Sequence, residues 1–154
     1  MLTALKKFFL GEPEEQRQET SDLRIAVVAL LIRAATSDTY FGADERRTIR
    51  RIAAQSFKLT DAEIDRLMEE AMEEEAARID LHRWMQSIKR AYNEEERVDL
   101  IEKMWEVAYA DGVLDDYEAN LLRRVAGLIY VPDRQSGEAR QRAMTRLGLL
   151  PRQD

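Results

Sequence analysis

Cysteine is absent from this 154-residue chain, which excludes disulfides, thiolate metal sites and cysteine nucleophiles. A cytoplasmic, reducing location is compatible with that composition and is the location expected. Proline occurs 3 times and glycine 6 times, too few chain breakers for a turn-rich β fold. His82 is the only histidine, and Ile79 three residues before it removes the E-x-x-H signature of di-iron helical bundles. No long apolar run exists either. The longest, residues 25–32, falls far short of the roughly 20 residues that a membrane span requires. Lys6 and Lys7 interrupt the apolar start of the chain and no small-residue cleavage site follows, so no signal peptide is read there.

Hydrophobic residues make up 45% of the chain and charged residues 35%, a balance typical of amphipathic helices around one core. The formal net charge of −6 opposes nucleic-acid binding, which needs a basic footprint. The one basic face, Arg46, Arg47, Arg50 and Arg51, is open to two readings: an anion or nucleic-acid contact, or a solvated face paired with nearby acids.

Helical periodicity dominates, and the predicted fold is all-α, a compact bundle of seven or eight helices. Residues 1–19 read as a short amphipathic helix, with Leu2, Leu5, Phe8 and Phe9 on one face, followed by a polar linker. That helix is either an arm packed on its own domain or a docking element for a partner or a membrane surface. Residues 20–148 form the main domain and 149–154 a flexible tail. Thr20 or Ser21 is the expected cap of a helix that is apolar almost all round (Ile25, Val28, Leu31 and Ile32 among others) and therefore central. Thr60-Asp61-Ala62-Glu63 and Asn93-Glu94-Glu95-Glu96 are capping boxes that open two further helices. Asp115 or Asp116 starts another, and a last one runs from Gln135 to about Leu147.

A shift of 73 residues places Asp38 on Asp111, Glu45 on Glu118, Arg50 on Arg123, Arg51 on Arg124 and Ala35 on Ala108. Apolar positions agree as well, from Val27 with Leu100 to Ile52 with Val125. The chain therefore reads as two related helix–turn–helix halves about a pseudo-twofold axis. Each half carries an acidic turn. In the second, Asp111, Asp115 and Glu118 stand at D-x-x-x-D-x-x-E spacing and could offer oxygen ligands to a hard divalent cation, Ca²⁺ or Mg²⁺. The same residues suit plain capping: Asp115 as N-cap with Glu118 reaching back, and Gly112 ending the preceding helix. The stretch is not an EF-hand, because Val113 and Leu122 stand where acidic ligands belong and Asp116 where glycine belongs.

Ala110-Asp111-Gly112, followed by Glu118 and preceded by a second copy upstream, resembles the TerB-like tellurite-resistance family over roughly residues 20–145. The resemblance implies a two-half helical domain with acidic metal-binding turns, carried here by Asp38 and Glu45 and by Asp111 and Glu118. Thr39 departs from the family's D-G pairing in the first copy. A non-enzymatic protein-interaction or stress-response module is the expectation that follows, its protein partner unspecified. The competing class is an enzyme that uses the Asp/Glu cluster with Mg²⁺ to activate water. No nucleophile–base pair is visible to support it, and no histidine stands near either acidic motif.

Overall fold

The computed structural model describes residues 13–36, 42–77, 81–110 and 116–149. Among them are seven α-helices and no strand: α1 (Glu14–Ala35), α2 (Ala43–Phe57), α3 (Asp61–Ala76), α4 (Leu81–Ala91), α5 (Glu94–Ala108), α6 (Asp116–Leu128) and α7 (Asp133–Arg146). The amphipathic segment expected near the N-terminus and the tail beyond residue 149 lie outside the described residues. No described helix is long and apolar enough to cross a membrane.

Two helices form the centre. On α1, every residue from Ala26 to Ile32 is buried, as its all-round apolar character requires. On α5, Leu100, Ile101, Met104, Trp105, Val107 and Ala108 are buried in the same core. These two helices pack on each other, and each is covered by the third helix of its own half, α1 by α3 and α5 by α7. The fourth helix, α4, lays Leu81, Trp84, Met85 and Ile88 against α1. His82 sits on the opposite, exposed side of α4 against Gln86.

The repeat is visible in the element boundaries. Helices α1 and α5 end at Ala35 and Ala108, and α2 and α6 begin at Ala43 and Asp116, both pairs 73 residues apart. The halves differ where a cap was expected. In the second half the chain breaks after α4, and Asn93 caps α5: its Oδ1 accepts from the Glu96 N–H at 2.9 Å while Glu96 Oε1 accepts from the Asn93 N–H at 2.9 Å. At the corresponding position of the first half, Thr20, no break occurs. The helix has already begun at Glu14 behind Pro13, so the polar linker expected before Thr20 is instead the opening of α1. Thr20 Oγ1 donates to the Gln16 carbonyl inside the helix at 2.9 Å. The reason lies three residues on: Leu23 stands where Glu96 closes the box, so Thr20 lacks the reciprocal carboxylate. Pro13 starts the helix instead, with Glu14 and Glu15 favourably placed in the first turn.

The Thr60 capping box forms as read from the sequence, with Thr60 Oγ1 accepting from the Glu63 N–H and Glu63 Oε1 from the Thr60 N–H. The last helix starts at Asp133, with Pro132 in the capping position, two residues before the expected start.

Candidate acidic turns and a buried carboxylate–arginine cluster

Of the five residues proposed from sequence to hold a cation, Asp38, Asp111 and Asp115 lie outside the described residues. Glu45 and Glu118 are described and occupy equivalent places, the first turns of α2 and α6. There the backbone N–H groups and the helix dipole favour negative charge. Glu45 is half-buried, whereas Glu118 is only 5% exposed. A carboxylate that buried requires hydrogen-bond or charge partners. Gly42 caps α2 with extended geometry, and its carbonyl accepts the Arg46 N–H at 3.0 Å. Both glutamates are hard oxygen donors, the chemistry a Ca²⁺ or Mg²⁺ ion takes. Among the described residues, no three acidic or histidine side chains converge as a metal-binding group.

A second acidic constellation, not singled out in the sequence, is fully described. Glu102 and Glu106 stand one turn apart on α5 and are 8% and 4% exposed. Arg142 Nε donates to Glu102 Oε1 at 2.5 Å, and Arg146 donates to Glu102 Oε2 through one nitrogen and to Glu106 Oε2 at 3.2 Å through another. Arg51 Nη2 closes the cluster on Glu106 Oε1 at 2.5 Å. Three helices, α2, α5 and α7, thus meet on two carboxylates. Burial pushes the Glu102 carboxyl upward, but the hydrogen bonds and charges of Arg142 and Arg146 outweigh it and hold it below the usual carboxylate range. The signal that would have found this cluster is a matched pair of i, i+4 steps, Glu102/Glu106 and Arg142/Arg146.

Aromatic residues extend the same seam. Arg140 Nε donates to the Tyr109 hydroxyl at 2.8 Å, and its guanidinium lies 5.1 Å from the Trp105 ring centroid. In the first half the corresponding seam has reversed polarity. Arg33 of α1 pairs with Glu75 of α3 at 3.7 Å and stacks on the Trp84 ring at 4.5 Å.

The arginine face of α2 follows the paired reading at three positions: Arg47 reaches Asp44, Arg50 reaches Asp65 at 2.5 Å, and Arg51 reaches Glu106.

Compared with known families, residues 24–141 match the tellurite resistance protein TerB family. The chain belongs to the TerB family. The matched segment begins within α1 and ends within α7, so it takes in both halves and every described helix. The TerB assignment agrees with the all-α architecture and makes this a tellurite-resistance-type domain. No curated protein and no solved structure matches the chain.

Proposed function

We propose that this TerB domain is a non-enzymatic module of the stress response to toxic oxyanions such as tellurite, working through protein contacts in the cytoplasm. A divalent cation, Ca²⁺ or Mg²⁺, organises its acidic turns. The second-half turn is the stronger site, with Asp111, Asp115 and Glu118 as ligands; Asp38 and Glu45 are the first-half counterparts. The observation that carries this reading is the burial of Glu118 in the first turn of α6, at the position that repeats Glu45. A plain capping carboxylate at a helix start has no need of such burial, whereas a carboxylate directed inward can ligate an ion that also draws in the preceding turn.

Thermal unfolding of the full chain in Ca²⁺, Mg²⁺ and Mn²⁺ tests the cation site. An ion at 100 times its Kd stabilises the fold by about 2.7 kcal/mol. The joint substitution Asp111→Asn, Glu118→Gln is expected to abolish the shift. Absence of any shift in the wild type with all three ions sinks the cation reading.

A further inference from the structure

The repeat exposes a difference between Arg24 and Arg97, which occupy corresponding positions on α1 and α5. Arg97 spends its donors on backbone carbonyls, with Nε on Tyr92 O at 2.9 Å, Nη2 on Lys89 O at 2.7 Å and Nη1 on Ile129 O at 3.4 Å. Two of those carbonyls, Lys89 and Tyr92, exist as free acceptors because the chain ends α4 just before Asn93. In the first half α1 runs through the equivalent point, so its carbonyls are consumed within the helix. Arg24 accordingly has no such acceptors. Its Nε is buried and donates no hydrogen bond among the described residues, and its guanidinium is held 5.7 Å from the Phe57 ring centroid. Phe57 is itself the counterpart of Tyr130, which lines the Arg97 cleft.

The two clefts differ in size as the two arginines differ in use. The Arg97 cleft has a volume of about 100 Å³. The Arg24 cleft, between the N-terminal half of α1 and α3, has about 420 Å³, the range of small-ligand sites. One stripe of α1 lines it with Arg17, Thr20, Ser21 and Arg24, and α3 contributes Arg66 from the other wall. Leu59 and Leu67 supply an apolar floor. Two carboxylates, Glu63 and Glu70, also line the cleft. Glu63 Oε1 accepts both the N–H and the hydroxyl of Thr60, which hold its carboxyl below the usual range, and the charges of Arg24 and Arg66 act on it in the same sense. Three guanidinium groups against two carboxylates leave the cleft net positive in a chain of net charge −6.

We propose that the cleft between α1 and α3 is an oxyanion site that takes a small phosphomonoester, with Arg24, Arg66 and Arg17 clasping the phosphoryl oxygens, Ser21 donating a further hydrogen bond and the organic part lying on Leu59 and Leu67. A tetrahedral phosphoryl group offers acceptors in several directions at once, as donors arriving from two facing helices require; a planar carboxylate offers only two oxygens. The ligand supplies to Arg24 Nε what the backbone carbonyls supply to Arg97.

The test is a chemical-shift titration of the ¹⁵N-labelled full chain with inorganic phosphate and, separately, phenyl phosphate, at constant ionic strength set with chloride. Saturable shifts centred on Thr20, Ser21, Arg24 and Arg66 are expected, with phenyl phosphate at least tenfold tighter because of the apolar floor. Equal affinities would overturn the organic part of the assignment and leave inorganic phosphate as the ligand. Arg66→Gln, at an exposed helical position, should weaken binding at least tenfold without altering the fold, and Arg24→Gln should do the same or more. Arg134→Gln, on the distant and exposed start of α7, is the control and should bind as wild type. No saturable shift with either phosphate, or equal affinity in wild type and Arg66→Gln, overturns the site.

Discussion

Arg51 and Glu106 join the two halves of the domain: an arginine on the second helix of the first half reaches a carboxylate on the central helix of the second, at 2.5 Å. The pair is asymmetric in burial, since the Arg51 side chain is 46% exposed and that of Glu106 5%. Removing the buried member should therefore cost more. Glu106→Gln is expected to destabilise by about 1–3 kcal/mol, because two arginines lose a charged acceptor. Arg51→Gln should cost less than about 1 kcal/mol, since Arg146 still accompanies the carboxylate. Urea unfolding of both variants and the double variant gives the coupling; a coupling near zero would mean that the contact contributes nothing to joining the halves.

Glu102 makes stability depend on acid. Its carboxyl lies below the ordinary value of about 4.3 in the folded state. A depressed carboxylate contributes stability that is present above the unfolded value and is lost as pH falls through the folded one. The Tm should fall on acidification below about pH 5, and Glu102→Gln should flatten that part of the curve while lowering Tm at pH 7. Parallel curves for wild type and variant would remove Glu102 from the account.

Tyr92 behaves in the opposite sense at high pH. Burial, helped by the negative charges of Glu96 and Asp99, pushes its phenol up to about 12. An unfolded tyrosine ionises near 10, so Tyr92 contributes stability below that value and loses it as pH rises toward 12. Ultraviolet titration at 295 nm should show a late phenolate step that Tyr92→Phe deletes.

The two corresponding cap positions give a paired test. Asn93→Ala removes a formed capping box and should cost about 1 kcal/mol. Thr20→Ala changes only a hydroxyl bonded back to its own helix, and should stay within about 0.5 kcal/mol of wild type. Thermal unfolding resolves the difference; equal losses would show that Thr20 acts as a cap after all.

Much of the architecture was legible because its cues are local. Thr60 with Glu63 and Asn93 with Glu96 announce helix starts within four residues, and the run from Ile25 to Ile32 announces a central helix. The early start of α1 was not legible, because Glu14 to Glu19 carry no apolar stripe and the helix there stands on Pro13, acidic first-turn residues and continuity with the buried run. The Glu102/Glu106 cluster escaped for a different reason. A glutamate on a helix reads as solvated unless its partner is known, and Arg142 and Arg146 lie 40 or more residues further along the chain. The acidic turns were read as motifs; of their proposed ligands only Glu45 and Glu118, in the first turns of α2 and α6, lie among the described residues.

The reversed polarity of the two seams bears on how a duplicated chain avoids folding onto the wrong copy. The first half joins an arginine on its central helix, Arg33, to a glutamate on its outer helix, while the second joins central glutamates to outer arginines. If α7 settled on α1 in the register it keeps on α5, Arg146 would face Arg33, the counterpart of Glu106, and like charges brought together in a half-buried seam repel. The buried faces of the two outer helices differ as well: α3 buries Ile64, Leu67 and Met68, whereas α7 buries the smaller Ser136, Ala139 and Ala143. Side-chain size and the sign of charge together match each outer helix to its own central helix.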